Sequence, residues 1–130
     1  MSGIKPTEFD YSESRWQDLY NFLKEKGYDV YSPGQKVGEC LEPYLVIKND
    51  GSYDHPIFSS DRDMYAIHCY VPRDRYSMLE PLVQSVKRDM RELYPMFLQY
   101  GQQTPSYYDD NAKAQYIIIE YENYKKIIFM

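Results

Sequence analysis

The chain has 130 residues, a formal net charge of −5 and a pI near 5. This length is typical of one domain and too short for two full cores. The acidic balance argues against duplex DNA or RNA as the primary partner, because such binding needs clustered Lys and Arg. No run approaches the roughly 20 apolar residues that cross a bilayer, and the N-terminus does not resemble a signal peptide. We therefore expect one domain that is used inside a cell or released by lysis, without a membrane partner.

The first predicted element is a helix that begins after Ser12 or Ser14 and ends at Gly27. Its apolar residues recur at i, i+3, i+4 and i+7, which is the pattern of a helix with one face on a core. The members of this stripe are Trp16, Leu19, Tyr20 and Leu23. One face of the helix should therefore pack on the rest of the domain.

A strand is predicted at residues 42–48, because its centre is apolar and a turn sequence follows directly at residues 49–52. We expect the chain to reverse at that turn, and residues 50–62 to form a projecting, hairpin-like arm. Two apolar residues in this arm, Ile57 and Phe58, either cap the sheet or point at a partner.

The next strand is predicted to end at Pro72, which has no N–H to donate to a neighbouring strand. Period-two geometry places Tyr65, Ile67, Cys69 and Val71 on one face and Met64, Ala66, His68 and Tyr70 on the other. Both faces are fairly apolar, which is typical of a central strand.

A long amphipathic helix is predicted after Ser77. Ser77 and Glu80 have capping-box spacing, but Pro81 would remove the first intrahelical hydrogen bond, so a start a few residues later is the alternative. The buried stripe of this helix is predicted to consist of Leu79, Leu82, Val83, Val86, Met90 and Leu93. Because an isolated helix of this length is marginal, it has to dock on a sheet. The pattern predicts an α+β fold, with a mostly antiparallel sheet of about four strands and two helices packed on it.

Residues 96–111 are predicted to form a long connection, and residues 114–124 the strongest strand of the chain. Connections of this length are usually functional or disordered, and this one is too aromatic for a disordered linker. It is therefore the first candidate for a contact surface. Its candidate interface residues are Phe97, Tyr100, Tyr107 and Tyr108.

The chain contains 16 tyrosines, which is its main compositional peculiarity. Tyrosine suits surfaces that are wet in the free protein and buried in an assembly, so this composition favours an interaction protein. The alternative is that about half of the rings are half-buried strand residues. Further candidate interface residues are Tyr53 in the arm, and Ile128 and Phe129 in the apolar end of residues 125–130, which we expect to dock.

Chemistry-bearing residues are few and scattered. Cys40 and Cys69 have no zinc-site spacing, and the two histidines, His55 and His68, have no partner at ligand spacing. Residues 109–111, Asp-Asp-Asn, either bind a hard cation or form a turn; they lack regular oxygen spacing, so we favour the turn. No phosphate-binding glycine loop or catalytic serine motif is present in the sequence. We therefore expect no catalytic residue, no metal and no cofactor, with an enzyme as the minority hypothesis.

The predicted element order and five short sequences resemble one class of phage protein. These sequences are residues 8–11 (EFDY), 31–34 (YSPG), 70–74 (YVPRD), 76–81 (YSMLEP) and 105–110 (PSYYDD). Together they resemble a tail terminator, or tail completion, protein of tailed bacteriophages or phage tail-like particles, of the type found in clostridial hosts. The resemblance covers most of the chain, although none of these sequences is a catalytic signature.

The resemblance implies a homohexameric ring at the head-proximal end of the tail tube. Such a ring stops polymerisation of the tube protein, presents a surface to the head–tail connector, and anchors the last sheath layer if the tail is contractile. DNA passes through its lumen only as cargo. The implied location is the tail or neck of the virion, after assembly in the host cytoplasm.

A closed ring needs a heterologous interface with two different patches on each subunit. The candidate patches are residues 53–60, 97–108 and 127–130. Two other classes stay open: another neck or head-completion connector protein, and a small metal-dependent hydrolase. The hydrolase would require Asp109 and Asp110 to converge with a histidine.

Overall fold

The backbone forms an open six-stranded sheet, and two α-helices pack on one of its faces. A computed structural model describes residues 15–54 and 61–124. The main elements in chain order are α1 (Arg15–Glu25), β1 (Val30–Tyr31), β2 (Tyr44–Asp54), β3 (Asp61–Pro72), α2 (Leu79–Met90), β4 (Phe97–Gln99), β5 (Tyr107–Asp109) and β6 (Ala114–Tyr124). Short 3-10 helices flank α2 at Arg73–Met78 and Arg91–Leu93.

The strands lie in the order β1-β2-β3-β6-β4, and β5 also pairs with β6. The β1–β2 pair is parallel and the other pairs are antiparallel. The expected α+β class, with a mostly antiparallel sheet and two helices, is thus confirmed. The sheet has six strands rather than about four, because three of its strands are only two or three residues long.

The first helix follows the predicted pattern. Leu19 and Leu23 are fully buried, and Trp16 and Tyr20 pack partly buried against the same core with their rings stacked at 5.2 Å. Gly27 ends the helical region with a φ of 99°, a conformation that glycine adopts without steric penalty. The stripe therefore faces the core as its spacing predicts.

The predicted chain reversal at residues 49–52 is wrong. β2 continues to Asp54 and stays paired with β3 as far as Asp61, with a bulge between Asn49 and Gly51. The Asn49 side-chain oxygen accepts a hydrogen bond from the Gly51 N–H at 2.7 Å, and Gly51 has a φ of 111°. These turn-forming residues build a β-bulge instead of a turn, because the same local chemistry serves both.

The central strand β3 has the two faces that its alternation predicts. Tyr65, Ile67, Cys69 and Val71 are at most 2% exposed and lie in the core beneath the helices. Burial raises the pKa of the Cys69 thiol to about 12, so this cysteine is a protonated core residue. Met64 and Ala66, on the opposite face, are also buried.

The second helix begins at Leu79, so the alternative of a start after the capping-box position is confirmed. Ser77 lies in the preceding 3-10 helix, and no side chain caps the start of α2. Pro81 is the third residue of the helix, where the missing N–H leaves no intrahelical hydrogen bond unmade. Of the predicted stripe, Leu79, Val83, Val86 and Met90 are buried, while Leu82 and Leu93 are partly buried against the same core.

We expect Ser77→Ala to change the free energy of unfolding by less than about 0.5 kcal/mol, because the hydroxyl makes no cap hydrogen bond. If Ser77 were an N-cap, the same substitution would lower the free energy of unfolding by about 1 kcal/mol. Urea denaturation measures the difference. Gly27→Ala is the control, at a helix end where the residue type matters. It should lower the free energy of unfolding by about 1 to 2 kcal/mol, because alanine is strained at positive φ. An equal loss for both variants would contradict the assignment.

Residues 96–111 are not the loop that the sequence predicts. β4 and β5 both pair with β6, and between them the N–H groups of Tyr100 and Thr104 donate to the carbonyls of Glu120 and Ile118 at 2.8 and 3.0 Å. The connection is therefore an interrupted edge strand. Its backbone satisfies hydrogen-bonding groups along β6 that would otherwise be exposed at a sheet edge.

An aromatic cleft as the candidate functional site

The face of the sheet opposite the helices, here called the open face, carries a row of tyrosines. One ring comes from each of five adjacent strands: Tyr31 in β1, Tyr44 in β2, Tyr70 in β3, Tyr116 in β6 and Tyr107 in β5. The last four are in direct register, since Tyr44 pairs with Tyr70, Tyr70 with Tyr116, and Tyr116 with Tyr107. We call this set the tyrosine row.

The rings of the tyrosine row contact one another in sequence across the sheet. Tyr44 and Tyr70 are stacked at 4.9 Å, and Tyr70 and Tyr116 at 5.0 Å. Tyr31 meets Tyr44 edge-on at 5.6 Å, and Tyr107 meets Tyr116 at 5.5 Å. These centroid distances lie in the favourable range for aromatic pairs, each of which contributes about 0.5 to 1.5 kcal/mol beyond area burial. The open face is therefore a pre-arranged aromatic surface.

A cleft of about 480 Å³ opens above one end of this row. Its floor is formed by Tyr44, Val46, His68 and Tyr70. The loop at residues 33–38 forms one wall, and Asp109, Asn111 and Ala112 form the other. Three segments that are far apart in the chain thus meet here, because β2, β3 and the β5–β6 turn are neighbours in the sheet.

Two lysines supply positive charge to the cleft. The Lys36 ammonium lies 5.6 Å and 5.7 Å from the ring centroids of Tyr31 and Tyr44, which is cation–π geometry. Lys48, on β2, is 3.8 Å from the Asp50 carboxylate and its side chain is 56% exposed. The carboxylate on the opposite wall, Asp109, accepts the N–H groups of Asn111 and Ala112 at 2.9 and 3.1 Å.

Burial sets the protonation of the cleft floor. It raises the pKa of Tyr70 to about 12, with the Asp109 carboxylate adding to the effect, and it also raises the pKa of Tyr44. Burial lowers the pKa of His68, so this imidazole is neutral at neutral pH. The floor is therefore uncharged, and the charges of the cleft are confined to its walls and rim. Such an arrangement suits an aromatic ligand that carries acidic groups.

The predicted interface residues of the aromatic connection divide into two groups. Phe97 is 3% exposed and packs 5.9 Å from the Tyr65 ring inside the core, so it is not available to a partner. Tyr100, Tyr107 and Tyr108 are 44–48% exposed. Of these, only Tyr107 joins the tyrosine row.

The side chains of the other predicted interface residues lie outside the described structure. Tyr53 lies in β2, but its side chain is outside the described residues, as are Ile57, Phe58, Ile128 and Phe129. Sequence reasoning missed Tyr31, Tyr44, Tyr116 and Lys36 as members of one site. The alternation of β3 does place Tyr70 on the second face, but which tyrosines lie opposite it depends on strand register.

Residues 109–111 form the favoured turn. Asp109 accepts two backbone N–H groups, and the exposed Asp110 lies 3.5 Å from the Lys113 ammonium. Within residues 15–54 and 61–124, no group of three His, Cys, Asp or Glu side chains is arranged to hold a metal ion. Nor is any helix in these ranges long and apolar enough to cross a membrane.

We expect the protein to lose stability as the pH rises above about 10. Folding raises the pKa of Tyr28, Tyr65 and Tyr70 from 10.0 to about 12, mainly through burial. The unfolded chain releases these protons near pH 10, whereas the folded chain holds them to about pH 12. The stabilisation is thus fully present below pH 10 and is lost as the pH rises through the folded pKa.

Urea unfolding at increasing pH, followed by tyrosinate absorbance, measures this loss. Tyr70→Phe should make the free energy of unfolding less dependent on pH, because the phenylalanine side chain has no proton to release. Tyr94→Phe is the matched control, since Tyr94 is 71% exposed. A free energy of unfolding that is constant from neutral pH to about pH 11 would contradict the prediction.

The fold and the cleft together define a small α+β protein whose sheet is covered by helices on one face and carries an aromatic row on the other. No protein-family model matches the chain, and no curated protein is significantly similar to it.

Proposed function

We propose that this protein is a structural subunit of a phage tail or tail-like particle, namely a tail terminator. The observation that carries the proposal is the open aromatic face and its cleft. Tyrosine-rich surfaces of this kind are typical of protein–protein interfaces. Three of the short sequences that carry the resemblance contribute residues to this site. They are residues 31–34 (Tyr31 and Gly34), residues 70–74 (Tyr70) and residues 105–110 (Tyr107 and Asp109).

A fourth of these sequences lies next to the same region. The Tyr76 hydroxyl and the Ser106 hydroxyl are 2.8 Å apart, which connects residues 76–81 to residues 105–110. Sequences that are separated in the chain are thus gathered into one surface. This supports an interaction role for that surface.

The positions of the exposed aromatic residues also support a ring. The cleft is floored by β2 and β3, whereas Tyr94 and Tyr100, which are 71% and 48% exposed, flank β4 at the edge of the sheet beyond β6. A ring requires two different patches that meet in successive subunits, and two separate patches of this kind satisfy the requirement. The proposed assembly is a homohexamer.

In this proposal the ring caps the head-proximal end of the tail tube and stops its polymerisation. Its partners are further copies of itself, the tube protein, the head–tail connector and, in a contractile tail, the sheath protein. The net charge of −5 suits a lumen through which DNA passes without adhering. The protein would reside in the tail or neck of the virion after assembly in the host cytoplasm.

Mass measurement in solution, combined with negative-stain imaging of mixtures with tail tubes, tests the proposal. We expect closed rings bound to tube ends. The double substitution Tyr94→Ala and Tyr100→Ala should prevent ring closure while the protein stays folded, and Lys24→Ala on α1 is the surface control. A protein that never forms rings and never binds tube ends would contradict the proposal. Binding to the portal complex but not to tubes would instead indicate another neck connector.

A genetic experiment tests the role in the particle. Removing the gene should give tubes of uncontrolled length or tails that fail to join heads. Normal infectious particles without the protein would rule the role out.

A further inference from the structure

The first described residues pack against β2, the strand whose other face lines the cleft. The Trp16 indole N–H, at the start of α1, donates to the carbonyl oxygen of Ile47 at 2.8 Å. Ile47 is buried in the core, and its two neighbours in β2, Val46 and Lys48, line the cleft on the other face. The start of the described chain is therefore held at β2, the strand whose other face lines the cleft.

The outer edge of β2 is paired over only part of its length in the described residues. β1 pairs with β2 only at Leu45 and Val46, and no other strand of the described residues pairs with the outer edge of β2. Seven extended residues span about 24 Å. Residues 7–13 can therefore reach across the cleft of their own subunit.

The chemistry of residues 7–13 complements that of the cleft. They contain three carboxylates, Glu8, Asp10 and Glu13, two aromatic rings, Phe9 and Tyr11, and no basic residue. The cleft offers stacked rings on its floor and two ammonium groups, and Lys36 forms no ion pair with any described residue. The one carboxylate that lines the cleft, Asp109, is engaged by two backbone N–H groups.

We propose that residues 7–13 bind in the aromatic cleft of their own subunit. Phe9 and Tyr11 contact the floor at Tyr44 and Tyr70, since alternate residues of an extended segment point the same way. The carboxylates of the segment meet Lys36 and Lys48. The proposal does not rest on the tail-terminator role; in a ring, the cleft filled by this segment would form the patch on that side of the subunit.

The other end of the chain is a poorer occupant. β6 ends at Tyr124, six residues beyond Ile118, which pairs with His68 in the cleft floor. Residues 125–130 span about 20 Å when fully extended and would just reach the level of His68. They begin with two lysines, which have the same charge as Lys36 and Lys48 at the cleft.

Carbethoxylation of His68 by diethyl pyrocarbonate tests the proposal in the full-length chain. His68 lies in the cleft floor, and its lowered pKa keeps it in the reactive neutral form. We expect the double substitution Phe9→Ala and Tyr11→Ala to raise its modification rate several-fold, measured by mass spectrometry. Thr7→Ala with Ser12→Ala, in the same segment, is the matched control and should leave the rate unchanged. Adding a synthetic peptide of residues 5–14 should restore the slow rate.

Charge reversal provides a second, independent test. In a chain that is otherwise unaltered, the double substitution Lys36→Glu and Lys48→Glu should raise the rate at which His68 is carbethoxylated. A peptide of residues 5–14 with Glu8→Lys and Asp10→Lys should protect this variant better than the unaltered peptide does. Circular dichroism and thermal melts establish that each variant is folded.

Three results would overturn the proposal. The first is an unchanged His68 rate in the Phe9 and Tyr11 variant. The second is protection that weakens on dilution of the protein, which would mean that the occupant comes from a second copy. The third is a faster rate only after removal of residues 125–130, which would make the other end of the chain the occupant. The first and third of these results do not bear on whether the protein caps tail tubes, whereas the second would support the cleft as a contact between subunits.

Discussion

Ile67→Ala is expected to lower the free energy of unfolding by about 2 to 5 kcal/mol. Ile67 lies at the centre of β3 and is fully buried between its cross-strand partners Ile47 and Ile119, which are also fully buried. The substitution removes three carbons beneath the helices. Because the flanking strands are held in place by their hydrogen bonds, the core cannot close fully around the cavity. Urea denaturation of the two proteins measures the loss.

Two further variants calibrate this result. Leu41→Ala, at a position that is 66% exposed, should change the stability by less than about 0.5 kcal/mol. Ile67→Val should lose about 0.5 to 1.5 kcal/mol, because it removes one methylene. A loss below 1 kcal/mol for Ile67→Ala would show that β3 is not the packed centre of the fold.

Asp89→Ala is expected to lower the free energy of unfolding by about 1 to 3 kcal/mol. Asp89, on α2, is 9% exposed and accepts a hydrogen bond from the Tyr28 hydroxyl at 2.6 Å, while that hydroxyl also lies 2.5 Å from the Ser85 hydroxyl. This bond joins the segment after α1 to the second helix. Its acceptor is charged, and charge-assisted hydrogen bonds are stronger than neutral ones. Thermal or urea denaturation measures the change.

A double-mutant cycle with Tyr28→Phe separates the bond from the general effect of each substitution. The two losses should be clearly less than additive, because either substitution alone breaks the same bond. Arg88→Ala is the control for charge: its guanidinium is 3.5 Å from the Asp89 carboxylate but 69% exposed, so it should change the stability by less than about 0.5 kcal/mol. Additive losses for Tyr28 and Asp89 would contradict the coupling.

Both helices could be predicted from the sequence because their apolar residues recur with the helical period. Leu19 and Leu23 in α1, and Val83 and Val86 in α2, are all fully buried. This pattern is local and long enough to be unambiguous. The same holds for the two faces of the central strand β3.

Short sequence motifs gave wrong predictions where the same residue types can form two different structures. Asn49 and Gly51 are typical turn residues, but here they form a bulge in a strand that continues. Ser77 has capping-box spacing, but a 3-10 helix occupies that position. In each case the outcome depends on how the neighbouring segments pair and pack, which the short sequence does not contain.

The strands β4 and β5 were missed for a different reason. Each has three residues, which is too short to show a period. They exist because β6 has a free edge whose backbone groups need hydrogen-bond partners. That requirement is visible only once β6 is placed beside β3.

The sequence by itself determined the α+β class, the two helical stripes, the buried face of β3 and the unusual abundance of tyrosine. It could not show that Tyr44, Tyr70 and Tyr116 lie side by side, nor that Lys36 faces them. Periodicity assigns a residue to a face of its own strand, whereas strand register decides which residue of another strand lies opposite it. Register is set by contacts between distant parts of the chain, so the aromatic cleft is a product of the tertiary structure.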